Sequence, residues 1–515
     1  MSSSPPSQLQ RLLADAEEHL LRGRLPTAWN QLDRARRNHP NDPGILALMT
    51  QIQIERGDGL QAEKLALMAT TAHPNDGRGH LALGDAQALL GKSDDAENSW
   101  KTAARLEGSD PEPHVRIAQL AEKEKRFAEA ESAADRALAL KSDHILATFI
   151  RARCDAIRNQ PDQGAKRLLK LSIGNMLPAE RVGYYFELAH HQRDARRFQQ
   201  AFESYSEANR LQGLMGKEGT PPPSAEQLMP ELVKWTAQLT PQWVATHTPA
   251  LPPEGAEPVF IVGYPRSGLT LLTQMLAAHP RLVVMSGYRL PEEIRALLGP
   301  QGYPQGLAQL DAPRIRAMRQ MYYKKVQSVV GELPPAATLL DVHPLHLLDL
   351  PLIQRIFPTA RIIHVVRHPM DSVLQCYIRQ DQSHDPATLS AGSIKGAVAL
   401  YVAMMNFFNT SHRVKPLPTM FLRYESIIEN MPLALQGMLK FLNIVWDDAI
   451  RRYRGVPMRR LYTQHELAEQ IDPLHGRQVD LWPSFHQNLR PFIPMLDPYA
   501  QFLGYPKLST IPPRR

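Results

Sequence analysis

Arg266, Ser267 and Thr270 bring one guanidinium and two hydroxyls together in the stretch PVFIVGYPRSGLTLLTQML, which runs from Pro258 to Leu276. Groups of these types suit an oxyanion, because a planar cationic fork and neutral donors can all point at one cluster of oxygens. The surrounding sequence predicts the elements that position them. Val259 to Val262 is a short apolar run of the kind a buried strand shows, Gly263 to Gly268 breaks it, and Leu271, Leu272, Met275 and Leu276 resume at helical spacing. Such a strand, loop and helix presents backbone N–H groups and a positive helix end, both of which attract a phosphate or a related anion.

A second stretch, ARIIHVVRHPMDSVLQCY from Ala360 to Tyr377, repeats the arrangement. Arg361 to Val366 reads as a strand, Arg367, His368 and Pro369 end it, and Val373, Leu374 and Tyr377 share a helical face. Arg367 therefore stands at a strand end, as a second fork for an anion.

The first loop has no lysine, so it is not a phosphate loop of the G-x-x-x-x-G-K-[ST] type. Pro265, Arg266, Ser267, Gly268 and Thr270 resemble instead the 5′-phosphosulfate loop of sulfotransferases, close to P-R-S-G-T-T, with Leu269 as the departure. The run R-H-P-M-D-S-V-L-Q-C-Y resembles the R-D-P-x-D…S-C-Y motif with which the same family holds a 3′-phosphate. Phe421-Leu-Arg-Tyr-Glu425 resembles its V-R-Y-E strand end, and Trp482 with F-I-P-M-L-D-P-Y-A-Q-F-L-G-Y-P resembles its closing helix. The chain thus resembles bacterial sulfotransferases with an N-terminal tetratricopeptide (TPR) array and a catalytic domain related to tyrosylprotein sulfotransferases.

That resemblance implies transfer of a sulfuryl group from 3′-phosphoadenosine 5′-phosphosulfate (PAPS), a co-substrate, to a hydroxyl acceptor, without a metal. It assigns Arg266, Ser267, Gly268 and Thr270 to the phosphosulfate, and Arg367 with Ser372 to the 3′-phosphate. Three further positions depart from the family pattern. Tyr288 stands where a glutamate base is expected, Asp341-Val342-His343-Pro344 replaces a D-K-x-P with its leaving-group lysine, and Gln375 replaces a serine. Two accounts follow. In one the roles have moved, with His343, Glu292 or its neighbour Glu293, and Arg289 as the catalytic candidates, since histidine can act as acid or base near neutral pH. In the other the domain is a catalytically degenerate scaffold whose repeat array binds a protein partner.

Composition narrows the setting. The 515 residues imply more than one core, and a net charge of +7 with scattered charges favours an anionic ligand without pointing to nucleic acid. Cys154 and Cys376 are too few and too far apart for a disulfide framework or a metal site. The N-terminus lacks the pattern of a secretory signal and no long apolar stretch predicts a transmembrane segment, so a cytoplasmic location is expected.

The N-terminal half carries an internal period. Ala28, Ala62, Ala96, Ala130, Ala165 and Ala201 recur at intervals of 34, 34, 34, 35 and 36 residues, each with a small partner seven residues on: Ala35, Ala69, Ala103, Ala137, Ser172 and Ala208. Small residues at such spacing let two helices cross closely. The expected organisation is an all-α TPR solenoid of about six repeats over residues 7–212, able to bind a protein or peptide in its groove. A proline-rich linker and lead-in helix over 213–257 follow, then an α/β P-loop-like domain with a central parallel sheet over 258–507.

Overall fold

The computed structural model describes residues 8–214, 225–248, 251–290, 292–299, 302–379, 392–455, 461–463 and 479–512. The chain divides into two compact units, one of residues 1–176 with 190–196, the other of 177–189 with 197–515.

The first unit is a succession of helix pairs: α1 (Gln8–Leu21) with α2 (Leu25–Asn38), α3 (Pro43–Glu55) with α4 (Gly59–Ala72), α5 (Gly77–Leu89) with α6 (Ser93–Leu106), α7 (Glu112–Lys123) with α8 (Phe127–Leu140), and α9 (Ile145–Ile157) with α10 (Pro161–Leu168). Local signals set the ends. The Asp42, Asp58 and Asp76 carboxylates accept N–H bonds from Ile45, Gln61 and Arg78 at the starts of α3, α4 and α5, satisfying donors that the helix leaves unpaired. Between the helices of successive pairs, Gly23, Gly57, Gly91, Lys125 and Asn159 each take a positive φ, repeating the 34-residue beat in the left-handed conformation that ends a helix.

The periodic alanines Ala28, Ala62, Ala96 and Ala130 are fully buried, as close helix crossings require. Ser172 departs from the expected pattern. The helix α10 stops at Leu168, so Ser172 lies outside it, exposed, ahead of the short 3₁₀ turn Ile173–Asn175. Ala130 packs among Ala118, Ala121, Ala133, Ala134 and Ile150. Ala130→Leu should therefore lower stability by about 1–3 kcal/mol through overpacking, seen as a fall in the urea midpoint; an unchanged midpoint would show that this crossing has room for a larger side chain.

In the second unit, α11 (Pro178–Asp194) contributes its first turns, followed by α12 (Phe198–Gly213), α13 (Ala225–Gln238) and α14 (Pro241–Ala245). Trp235 of α13 packs edge-on against Tyr303, with ring centroids 5.1 Å apart. The sheet follows, with strands β1 (Val259–Gly263), β2 (Leu282–Ser286), β3 (Thr338–Val342), β4 (Arg361–Val366), β5 (Thr419–Arg423) and β6 (Leu461–Thr463) in the order β5-β4-β1-β3-β2-β6, every pair parallel. Alternate residues of β1 enter two different cores: Phe260 and Val262 face one, Val259 and Ile261 the other. A parallel strand buried on both faces needs apolar residues throughout, which is why Val259 to Val262 shows no alternation. Helices cover the two faces, giving three layers. The connections place α15 (Leu269–Ala277) after β1, α16 (Glu292–Ala296) and α17 (Ala312–Val330) between β2 and β3, α18 (Leu350–Ile356) after β3, and α19 (Pro369–Tyr377) after β4. The chain leaves β1 for β2 on one side and later reaches β4 on the other. The carboxyl ends beside β1 therefore form the crevice where open parallel sheets take ligands. Among the described residues no helix is long and apolar enough to cross a membrane.

Candidate functional site

Gly263 of β1 pairs with Val365 of β4, so the loop after β1 and Arg367 after β4 leave the sheet side by side. In the loop, Arg266 has a φ of 66° and Gly268 a φ of 105°. Gly268 is required twice over: its φ strains any other residue, and a Cβ there would lie 2.2 Å from the Tyr424 ring. Ser267 is buried, and its hydroxyl has no hydrogen-bond partner among the described residues. Thr270 lies in the first turn of α15, half-buried, and Leu269 turns into the core formed by Val259, Ile261 and Leu271. The loop therefore offers a helix N-terminus, a buried hydroxyl in want of a partner, and a half-buried guanidinium.

Arg367 is buried, stacks 4.7 Å above the Tyr424 ring, and donates from Nη1 to the Arg266 carbonyl at 3.4 Å. Tyr424 thus touches both parts of the site, through Gly268 below one edge and Arg367 over its face. Ser372, in the first turn of α19, donates its hydroxyl to the Arg367 carbonyl at 3.4 Å. Cys376, one turn further, lies with Sγ 3.4 Å from the Pro265 carbonyl, so α19 packs directly against the loop. Asp371 is an anchor: its buried carboxylate accepts the backbone N–H groups of Asp480, Leu481 and Trp482 at 2.7, 2.9 and 2.9 Å. Burial pushes its pKa up, and despite the Arg367 charge it stays at about 6.

His368 stacks on Trp482, with planes 11° apart and centroids 5.6 Å apart, and burial together with Arg423 and Arg367 holds it neutral, with a pKa of about 4. Arg423 ends β5 beside Val366 and lies 4.0 Å over the Tyr505 ring, while Glu425 accepts the His368 N–H at 2.9 Å and the Tyr505 hydroxyl at 2.7 Å. The sequence marks Arg423, Tyr424 and Glu425 only as a resemblance; their contacts make them part of the same crevice.

The other candidates lie at the ends of β3 and β2. His343 is buried, its N–H donates to the Ile261 carbonyl of β1 at 3.2 Å, and its Nδ1 accepts the Leu345 N–H at 3.0 Å. With Nδ1 engaged as an acceptor, the neutral ring carries its proton on Nε2. Gly287, with φ of 81°, donates to the Val342 carbonyl at 3.0 Å and turns the chain into Tyr288, whose half-buried ring lies 5.1 Å under the Lys325 ammonium of α17. Arg289 is exposed and Glu293 is exposed on α16; Glu292 begins that helix, and its side chain lies outside the described residues. The structure thus gathers Arg266, Ser267, Gly268, Thr270, Arg367 and Ser372 at the ends of β1 and β4, sets His343 on the next strand, and places Arg289 at the rim.

Beneath His343 runs a buried charge network. Asp341 accepts the Tyr322 hydroxyl at 2.9 Å and pairs with His346 Nε2 at 3.0 Å; His346 Nδ1 lies 3.4 Å from Asp349, which also pairs with Arg295. Burial pulls the His346 pKa down, but the two carboxylates outweigh it and raise it to about 9; burial pushes Asp349 up, but His346 and Arg295 bring it to about 2. The His346 contribution to stability is thus complete below its unfolded pKa of about 6.5 and disappears as pH rises through about 9. The Asp349 contribution is present above its unfolded value of about 3.9 and is lost as pH falls toward 2. Stability should therefore decline between pH 6.5 and 9, measured as a falling urea midpoint that flattens in His346→Leu; an equal decline in both proteins would contradict this.

Residues 258–448 match the family model described as Sulfotransferase family. A protein of Aquifex aeolicus, described as uncharacterized, is 21% identical over 261 residues, 49% of this chain and 34% of its own. Protein-tyrosine sulfotransferase 1 of Danio rerio is 25% identical over 258 residues, 44% of this chain and 65% of its own. The chain therefore spans less than two thirds of either relative's length. Among solved structures, a sulfotransferase domain from the curacin biosynthetic pathway is 18% identical with a TM-score of 0.31, covering 50% of this chain and 99% of its own. A thermophilic TPR protein of Thermus thermophilus is 20% identical with a TM-score of 0.32, covering 35% of this chain and 98% of its own. The family match spans both the loop after β1 and the loop after β4.

Proposed function

We propose that the second domain binds PAPS and transfers its sulfuryl group to a hydroxyl acceptor, which the repeat array presents on a protein or peptide. The observation that carries this reading is the loop after β1, where the unpartnered, buried Ser267 hydroxyl lies beside an Arg367 fork held on Tyr424. A buried hydroxyl without a partner costs roughly 1–3 kcal/mol, and a phosphosulfate oxygen would satisfy it. In this reading Arg266, Ser267, Gly268 and Thr270 hold the phosphosulfate, while Arg367 and Ser372 hold the 3′-phosphate.

The chemistry needs donors aimed at charge that develops on the bridging oxygen. His343 suits that role as an Nε2–H donor rather than as a base, because Leu345 already occupies Nδ1. Arg289 supplies a cation at the rim, and Glu292 stands as the remaining proton-acceptor candidate. The second reading, a donor-binding scaffold without turnover, is favoured by one observation: the buried carboxylates Asp341 and Asp349 are both committed to internal partners. Incubation with PAPS and a mixed acceptor pool separates the two. Appearance of 3′-phosphoadenosine 5′-phosphate (PAP) supports transfer; thermal stabilisation by PAP without turnover supports the scaffold; neither effect refutes both.

A further inference from the structure

His368 follows Arg367 directly, at the position where the motif it resembles has an aspartate, so an ionisable base stands there in place of a carboxylate. The residue is 7% exposed, and among the described residues neither ring nitrogen has a hydrogen-bond partner. Two N–H groups beside it are also without an acceptor: Nε1 of Trp482, whose ring stacks on the imidazole, and Nε of Arg423. Buried polar atoms in this state cost roughly 1–3 kcal/mol each. Their concentration next to Arg367 marks a place where an added oxygen acceptor is worth most.

Burial is the main reason that the ring is neutral, and the Arg423 and Arg367 cations add to it. The other charged and titratable groups on the elements packed around it are engaged elsewhere. On α19, Asp371 holds the N–H groups of Asp480, Leu481 and Trp482, with Asp480 acting on that same carboxylate. After β5, Tyr424 lies under Arg367, and Glu425 accepts the His368 backbone N–H and the Tyr505 hydroxyl. Tyr505 meets the imidazole edge-on with centroids 5.0 Å apart, and His486 stacks on Trp482. A phosphate dianion on Arg367 changes this balance. It offsets the cationic repulsion on the ring and supplies oxygens to which an imidazolium can donate, while the face of Trp482 attracts the same cation.

Resting on the nucleotide-binding reading above, we infer that His368 is a further binding group of that site, taking a proton from solvent as Arg367 receives the nucleotide's phosphate. Bound nucleotide then faces a third cation beside Arg266 and Arg367. The sign follows from linkage: the gain in affinity is complete below the free ring's value of about 4 and is lost as pH rises through the higher value of the complex. The phosphate itself works in the opposite direction, because its second ionisation lies near about pH 6 and the dianion binds best. Comparison with chains that lack the imidazole separates the two contributions.

The test is isothermal titration of the full chain with PAP at pH 6, in two buffers of different ionisation enthalpy that contain neither phosphate nor sulfate. Wild type is compared with His368→Phe, which keeps a ring on Trp482, and with His368→Gln, which keeps polar atoms that do not titrate. The wild type should take up at least about half a proton more per PAP than either variant, and its advantage in affinity should grow severalfold from pH 7.5 to pH 6. Carbon-13 spectra of histidine-labelled wild type need no substitution: one ring signal should move to its protonated position when PAP is added at pH 6. Equal proton counts in the three proteins, or no histidine that changes charge, would overturn the inference. Failure of the wild type to bind PAP would instead remove the nucleotide-binding reading on which it rests.

Discussion

Arg367→Ala should abolish the thermal stabilisation expected of the wild-type protein with PAP. The guanidinium stays charged at any working pH, and its fork is held by stacking on Tyr424 and by the Arg266 carbonyl, so little ordering remains to be done when a phosphate arrives. Charge-assisted bonds of this kind contribute about 1.5–3 kcal/mol each, and losing two of them weakens binding by roughly a hundredfold or more. Arg367→Lys keeps the charge without the planar fork and should fall between the two. Isothermal titration reads the difference directly. Equal PAP affinity in Arg367→Ala and wild type would remove Arg367 from the site.

The second large effect concerns the network under His343. Asp341→Ala should destabilise the second domain by about 3–5 kcal/mol, because it leaves the fully buried His346 cation with Asp349 alone and the buried Tyr322 hydroxyl without its acceptor. That is a large share of the roughly 5–15 kcal/mol that holds a domain together. The transition to follow is the one expected to shift with PAP, since the chain has two compact units and need not unfold in one step. Asp341→Asn, which keeps an acceptor for Tyr322, should cost less. A transition at the wild-type temperature in Asp341→Ala would mean that the network relaxes without loss.

Much of this arrangement is legible in the sequence because its physical requirements are strict. A close helix crossing accepts only small side chains, so Ala28, Ala62, Ala96 and Ala130 print the repeat period. A tight loop after a strand needs Gly268, and Arg266 and Arg367 each follow a strand end, so residue types and spacing alone mark the loops after β1 and β4. The periodic rule fails at Ser172 because α10 ends after eight residues, a length that nothing in the alanine pattern reveals. The glycines at 23, 57 and 91 carry a further signal of the same period, hidden later where Lys125 and Asn159 take the left-handed position.

The contacts at the end of β2 are hard to read for a different reason. Lys325 belongs to α17, far from either motif, and reaches Tyr288 only through the sheet order that sets β2 beside β3. Arg295 and Asp349 are likewise far apart in sequence and follow no period. The residue type of His343 suits acid and base alike; only the structure shows that its Nδ1 accepts the Leu345 N–H.

Titration of the whole protein with PAP tests the central claim most directly. The account predicts one equivalent bound per chain, with affinity at least tenfold weaker for adenosine 5′-phosphate, which lacks the group that Arg367 would hold. No saturable binding of PAP, or equal affinity for the two nucleotides, would contradict it.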